Sequence, residues 1–396
     1  MGQAILPSHT ESLTSLLKQV HDLGRDCVAL HADAVDRDAR FPKEAFDALR
    51  GAKLLSCYVP VEYGGMGLGI ADLSKICEAL ALYCGSTAMV FAMHQIQVAC
   101  IVHHALGSEF FRRYVRDLVE HQYLLASATT ELGVGGDVRS SLCAVEMAGD
   151  RFTLVKQAPV ISYGLSADAI LVTARRGPEA GRGDQLHVLV TKKDSTLKPI
   201  SGWDTMGFRG TCSSGFTLTA EGAAEQILPV PYADIHAKTM HAFSHSVWAS
   251  LWLGIATDAM NRARSFVRAE ARKTPGTLPP SALRLAELDA VHFAFRSSVQ
   301  NTVGEYHRLL DAGEDSSFNS NYGFSSRVNN LKVVASQLVV DVVGKAMLIC
   351  GIAGYRNGSP YSLGRQLRDA YGAALMVNND RILMQSSTMQ LFQQEN

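Results

Sequence analysis

Three stretches of this sequence hold hydroxyls, titratable groups or closely approachable backbone at spacings that could do chemistry. The first is TTELGVGGDVRSS, residues 129–141, in which Thr129, Thr130 and Glu131 lead into Gly133, Gly135 and Gly136. Glycines at that density let backbone amides approach a phosphate or a planar ring. A dinucleotide-binding turn would need a strand before it and a helix after it; strand-forming residues follow here, so that reading is rejected. The second stretch holds His241 and His245, four residues apart and so on one face of a helix. That spacing is formally a metal pair, but no nearby carboxylate or cysteine completes a ligand set, and no metal is expected. His245 stands as a candidate proton-handling group because an imidazole titrates near neutrality, with a packed core histidine as the alternative. The third stretch is RQLRDAYGAALMVNNDRI, residues 365–382. Its apolar run AALMV lies between Arg365, Arg368 and Asp369 on one side and Asp380 and Arg381 on the other, the pattern of a packed segment closing a site.

The elements that must position these groups follow from periodicity. Residues 1–122 read as a helical domain. Phe41-Pro42 opens a segment where Phe46, Leu49 and Leu54 recur at roughly helical spacing, and the glycine-rich loop VPVEYGGMGLGI follows. Next comes a helix pair, ADLSKICEALAL and STAMVFAMHQIQVACIVHHAL. The second of these is apolar nearly all round and is expected to be buried between other helices. After Tyr123 the pattern changes to short β-branched runs, RFTLV, AILVTA, LHVLVT and GFTLTA, with GPEAGRGDQ as a hairpin loop between the middle two. Residues 123–232 are therefore a middle β domain, and 233–396, where helical periodicity returns, a C-terminal helical bundle. In that last part KTPGTLPPS is a connection, Ser281 a candidate N-cap, and the last long helix ends at Gly351. Runs of strands between runs of helices make the fold class α+β rather than an alternating α/β sheet.

A chain of 396 residues fits two or three packed units. With 47% hydrophobic and 19% charged residues it reads as globular, and a net charge of −1 leaves no basic footprint for nucleic acid. No secretory leader pattern and no apolar run of spanning length stand out, so the expectation is a cytoplasmic protein off the membrane. The eight cysteines form no CxxC pair and are expected to be reduced core residues.

These stretches together resemble the acyl-CoA dehydrogenase family. Thr130, Glu131, Gly133, Gly135 and Asp137 match its TE-x-G-x-GSD loop, with Gly136 in place of the serine that touches substrate. Ile161, Ser162 and Gly164 follow its Trp-Ile-Thr-Asn-Gly strand, with Val160 in place of the tryptophan. Met206, Gly207, Arg209 and Gly210 match MG-x-RG, and Arg368-Asp369-Ala370 matches outright. Gly351, Gly354 and Tyr355 keep a glycine turn in which Ile352 replaces the second glycine, and Leu348 replaces a glutamine used on the adenine side. Val377 stands where the family usually carries its catalytic glutamate.

The resemblance implies an N-terminal helical domain, a middle β-barrel or sandwich domain and a C-terminal four-helix bundle. It also implies FAD, with FMN or reduced flavin as cosubstrate the alternative. The cofactor residues it carries over are Thr129, Thr130, Gly135, Gly136, Ile161, Ser162, Gly351, Asn378 and Asn379, with Arg272 reaching the pyrophosphate of a neighbouring subunit in a homodimer or homotetramer. Gly136, Ser244, His245 and Val377 would touch substrate. In the family a base removes the proton beside a thioester carbonyl while hydride passes to the flavin, and valine cannot be that base. The expected activity is thus α,β-dehydrogenation of an acyl thioester, carried by CoA or a carrier protein, with His245 or Asp380 as relocated base and an electron-accepting flavoprotein or oxygen as acceptor. The alternative is a flavin monooxygenase of the same fold, a branch that lacks the glutamate and often carries a pair like Asn379-Asp380. A non-redox lyase or binding module is the third reading.

Overall fold

The computed structural model describes residues 9–313 and 322–392. Helix α1 (His9–Leu23) runs through a π-helical turn, Gly24–Val28, into α2 (Ala29–Arg37). α3 (Lys43–Gly51) starts directly after Pro42 and buries Ala45, Phe46 and Leu49 on one stripe. Leu54 falls beyond α3, in a 3-10 turn, Leu54–Ser56. α4 (Ile70–Ala81), α5 (Gly85–His104) and α6 (Glu109–His121) complete the first helical part. α5 is buried on nearly every face, as an all-round apolar helix must be. α6 carries Glu109 in its first turn and His121 in its last, each favourable to the helix dipole.

Seven strands follow: β1 (Leu125–Ala128), β2 (Glu146–Ala148), β3 (Arg151–Ala158), β4 (Ala169–Arg175), β5 (Gln185–Thr191), β6 (Ser195–Ser201) and β7 (Gly215–Ala223). They form two sheets, ordered β1-β4-β5 and β2-β3-β7-β6. β4 and β5 pair antiparallel across the GPEAGRGDQ loop, from Ala169↔Thr191 to Arg175↔Gln185, while β1 lies parallel to β4. β3 alternates strictly, with Phe152, Leu154, Lys156 and Ala158 inward and their neighbours exposed.

Helices return with α7 (Tyr232–Ile235), a π-helical turn His236–Met240, and the long α8 (His241–Lys273). α9 (Ser281–Asp311), α10 (Tyr322–Cys350), α11 (Ile352–Tyr355), α12 (Gly364–Gly372) and α13 (Asn379–Phe392) complete the bundle. α8 is buried without interruption from His241 to Ala256, packed between α4 and α10. Ser281 is the first residue of α9, following Pro280, and does not cap it. The fold is α+β: helices, then two sheets, then helices.

Two further outcomes concern composition. α5 and Gly323–Cys350 of α10 are long and apolar enough to cross a membrane by length and composition, contrary to the expectation of no such run. The α5 window is 89% buried inside the fold, which is the behaviour of a core helix. All eight cysteines are free thiols.

Candidate active site

The π-helical turn and the first turns of α8 set His236, Met240, His241, Ser244, His245 and Trp248 along one wall of a cavity of about 210 Å³. Positions 241, 244, 245 and 248 share a helical face, so one helix supplies most of the polar wall. Opposite stand Met93, Ile96 and Gln97 of α5; Ser127, Thr129 and Thr130 come from the end of β1 and the loop after it. Val160, Ser162 and Tyr163 follow β3, and Val377 enters from the turn between α12 and α13. Among the described residues, no Asp, Glu, Lys or Arg lines this cavity. A larger cleft, about 770 Å³, lies between α2, α8 and α12. Its charges largely face one another, Arg262 against Asp258 at 3.0 Å and Arg368 against Asp36, and among the described residues no imidazole lines it.

The hydroxyls have a fixed direction. Thr211 Oγ1 donates to the Phe208 carbonyl at 2.8 Å, so its proton is spent. Ser213, 2.7 Å from Thr211 Oγ1, must therefore donate to it, and Ser162, 2.7 Å from Ser213 Oγ, must donate in turn. Ser162 presents lone pairs to the cavity. Thr130 Oγ1 donates to the Val160 carbonyl at 3.1 Å and does the same. Two acceptors beside the apolar surfaces of Val160, Met93 and Trp248 suit the N–H edge of a flavin's planar ring, so the residues present fit that cofactor. Gly135 supports the fit, since nothing stands within 4 Å of where its Cβ would be and its φ of +60° leaves the loop backbone approachable.

The imidazoles are neutral at pH 7. Burial pushes His236 down to about 3 and His241 to about 4. Burial, then the neighbouring His241 and Lys332, holds His245 well below its ordinary value. His241 Nε2 lies 2.9 Å from Asn329 Oδ1, and because that oxygen only accepts, the ring carries its proton on Nε2. The His245 ring stands perpendicular to His241, centroids 4.6 Å apart, and neither of its nitrogens has a partner. Gln97 Oε1 and Trp248 Nε1 also lack one. Each such buried orphan costs roughly 1–3 kcal/mol.

Of the expected site residues, Thr129, Thr130, Ser162, Ser244, His245 and Val377 meet in the cavity. The others do not line it. Ile161 is core, its N–H donating to the Ser214 carbonyl at 2.9 Å. Asn378 acts as the cap of α13, its side chain accepting from the Asp380 N–H at 3.0 Å. Asn379 accepts from buried Lys332 at 2.6 Å and donates to Ser336 at 3.0 Å, which ties the turn to α10. Asp380 is exposed in the first turn of α13, where a carboxylate suits the helix dipole, and so is not a base at the cavity. Gly135 and Gly136 lie outside the lining, with Arg381 Nη2 donating to the Gly135 carbonyl at 2.5 Å. Arg272 and Gly351 are exposed at the ends of α8 and α10.

Two of the sequence motifs form a joint rather than a site. Phe208 N–H donates to Asp369 Oδ1 at 2.6 Å, and a Cβ on Gly207 would come within 2.2 Å of the Arg368 carbonyl, so only glycine permits this approach. Arg209 Nε donates to the Asp36 carbonyl at 2.8 Å, and Arg368 pairs with the Asp36 carboxylate. Glu131, the carboxylate of the glycine-rich loop, likewise serves the framework: it accepts from Cys143 N at 2.6 Å and Leu142 N at 3.1 Å and pairs with Lys156 at 3.3 Å. Sequence reasoning missed Gln97 and Trp248. Gln97 follows His94 and Gln95 inside a largely apolar helix, and Trp248 lies one turn past His245, which are the signals that could have found them.

Comparison with known proteins follows these lines. The chain matches the acyl-CoA dehydrogenase N-terminal domain over residues 10–122 and the acyl-CoA dehydrogenase C-terminal domain over residues 238–384. It is 28% identical over 379 residues to a cyclohex-1-ene-1-carbonyl-CoA dehydrogenase of Geobacter metallireducens, covering 94% of this chain and 96% of that one. Its fold superposes on butyryl-CoA dehydrogenase from Megasphaera elsdenii with a TM-score of 0.81 at 22% identity, over 98% and 100% of the two chains. It superposes equally on the dibenzothiophene monooxygenase TdsC from Paenibacillus sp. A11-2, TM-score 0.81 at 19% identity, over 97% and 98%. With both terminal domains matched and the motif order preserved between them, the chain belongs to the acyl-CoA dehydrogenase family of flavin oxidoreductases.

Proposed function

We propose that this protein is a flavin-dependent monooxygenase of the acyl-CoA dehydrogenase fold, acting on a compact substrate held in the α5–α8 cavity. The observation that carries this reading is that, among the described residues, no carboxylate lines the cavity wall, with Val377 at the position the resemblance assigns to the base. Removing a proton beside a thioester carbonyl needs a base matched to neutral pH. Imidazoles held down by burial, His236 at about 3, His241 at about 4 and His245 well below its ordinary value, are too weak for that step.

A bound flavin would supply the redox chemistry, its reduced form reacting with oxygen. The chain's own residues hold and enclose. Thr130 and Ser162 offer acceptors to the ring's N–H edge; Thr129 stands beside them. Met93, Val160, Trp248 and Val377 keep water from the reacting face, and the buried imidazoles stay uncharged there. We read Arg272 and Gly351, exposed and outside the cavity, as contributions to the flavin site of a second copy in a homo-oligomer.

A second reading is favoured by one comparison: the relative at 28% identity is named as a cyclohex-1-ene-1-carbonyl-CoA dehydrogenase, and TdsC, named as a monooxygenase, is more distant in sequence. One experiment separates the two. The purified holoprotein is titrated anaerobically with a panel of acyl thioesters while flavin absorbance is followed, and then supplied with reduced flavin from a reductase in air. No bleaching together with oxygen uptake is the expected result. Bleaching by any thioester would return the protein to dehydrogenation, with the base to be sought at His245. Val377→Glu provides the complementary test, since a carboxylate at that position should add thioester-dependent bleaching that the natural chain lacks.

A further inference from the structure

The two hydroxyl acceptors on the cavity wall are fixed in different ways. Thr130 Oγ1 gives its proton directly to the Val160 carbonyl at 3.1 Å. Ser162 depends instead on Thr211 and Ser213, which are 2% and 4% exposed and stand behind the lining. The backbone sets these residues side by side. Ile161 N–H donates to the Ser214 carbonyl at 2.9 Å and Tyr163 N–H to the Thr211 carbonyl at 2.7 Å. The chain is therefore pinned on both sides of Ser162 and Ser213.

The order of protons follows from the far end of the hydroxyl series. The Phe208 carbonyl accepts from Trp203 Nε1 and from the Thr211 N–H, each at 3.1 Å, and lies nearer still, 2.8 Å, to Thr211 Oγ1. Two oxygens at that distance with no proton between them repel, so the Thr211 hydroxyl proton sits there. The Phe208 peptide is tied in place, because its N–H donates to Asp369 Oδ1 at 2.6 Å. With that end fixed, Ser213 gives its proton to Thr211 and Ser162 gives its proton to Ser213, both across 2.7 Å. Hydroxyls bonded in series polarise one another in the same sense, which strengthens the last acceptor. Reversing the series would strip the proton from the contact between Thr211 and Phe208.

We propose that Thr211 and Ser213 are positioning residues of the cavity: by taking up the Ser162 proton they hold that hydroxyl as an acceptor, and so favour a bound ring that presents N–H to it. This rests on the flavin reading of the cavity and is independent of the reaction the flavin performs.

The test compares the natural full-length protein with Ser213→Ala, Thr211→Val and Thr211→Ser. Each holoprotein is freed of its flavin and titrated with FAD, and the oxidised holoproteins are then titrated with base while the flavin spectrum reports ionisation of the ring N–H. In Ser213→Ala the Ser162 proton loses its acceptor in the wall and turns to the cavity, where it opposes an N–H and favours the deprotonated ring. FAD should bind about tenfold more weakly, and the ring N–H should ionise about one pH unit lower. Thr211→Val removes the anchor of the series and should shift both readouts in the same direction by about threefold. Thr211→Ser keeps the hydroxyl and should restore both, a rescue that loss of packing would not give. Unchanged affinity and ionisation in Ser213→Ala, or Thr211→Ser as impaired as Thr211→Val, would overturn the proposal. A natural chain that takes up no FAD would remove the flavin reading and this proposal together, whereas normal uptake with indifferent variants would remove this proposal alone.

Discussion

Two buried polar groups of residues lie on either side of the β1 end of the molecule, and they are built on opposite principles. Behind the glycine-rich loop, Lys156 is wholly buried yet fully engaged, donating to the Thr173 carbonyl at 2.6 Å and its hydroxyl at 3.1 Å and pairing with Glu131. Glu131 in turn holds two backbone N–H groups. Across the cavity, Gln97, His245 and Trp248 are as deeply buried and have no partners for the atoms they present. A saturated polar group in a core is framework, since desolvation has been offset within the chain. An unsaturated one on a cavity wall carries its desolvation cost with no offset among the described residues.

Breaking the saturated side should have the largest effect. Glu131→Ala leaves the Lys156 ammonium buried without its counter-charge and frees two amides, so stability should fall by about 3–5 kcal/mol. The guanidinium midpoint measures this, and a loss below about 1 kcal/mol would mean that water reaches Lys156. A second framework group, Asp369, gives an effect that depends on pH. Burial raises its carboxyl to about 6, opposed by the Phe208 N–H and by Arg365 and Arg368, with Asp36 adding to the rise. A carboxyl raised on folding contributes stability below its unfolded value, and that contribution is lost as pH climbs through about 6. The natural protein should therefore lose roughly 3 kcal/mol between about pH 4 and pH 7 through this group. Asp369→Asn keeps the acceptor for Phe208 and should flatten that slope; denaturation curves at several pH values test it.

The framework side was the legible one. The order of helices, sheets and helices, the hairpin between β4 and β5 and the burial of α5 all follow from local periodicity, which one sequence carries. Residues 365–382 read as a packed segment between charged anchors; they span α12, a turn and the start of α13, but within the apolar run Leu375 and Val377 are exposed. The site was legible only in part. Thr130, Ser162, His245 and Val377 converge as the motifs imply, but Asn378 and Asn379 spend their polar atoms on capping α13 or on Lys332 and Ser336, and Asp380 is exposed outside the cavity lining. Short polar side chains after an apolar turn have the same composition whether they cap a helix or face a ligand, and only the direction of the chain decides. Gln97 was invisible for a related reason: within a helix apolar nearly all round, periodicity does not say which neighbours its amides, Gln95 and Gln97, meet.

A smaller effect is expected at Val377, where the comparison meets the backbone. Its φ is +46°, a left-handed conformation that costs a β-branched residue about 1–2 kcal/mol. Val377→Gly removes that strain but adds unfolded-state freedom, so a net gain of about 0.5–1 kcal/mol is expected. A melting curve on the variant reads the sign. A loss would mean that the valine side chain, at the cavity edge, contributes more by packing than its backbone costs.

The smallest effect is the most informative. If Gln97 and Trp248 served the framework, removing their polar atoms would destabilise the protein as Glu131→Ala does, by leaving a partner behind. Trp248 Nε1 has no partner among the described residues, and Gln97 leaves only a 3.5 Å contact to the Met93 carbonyl. Replacing an unsatisfied buried polar group by an apolar one of similar shape is nearly neutral or stabilising. Gln97→Leu removes an orphaned oxygen at little change of volume, and Trp248→Phe removes an orphaned N–H at the cost of a smaller ring. The first should change unfolding free energy by no more than about 0.5 kcal/mol in either direction. The second should lose only the packing of the missing ring atoms, about 1 kcal/mol. Denaturation without added ligand measures both. Losses of the Glu131→Ala size would show that these atoms are satisfied within the fold, and the contrast between the two regions would collapse.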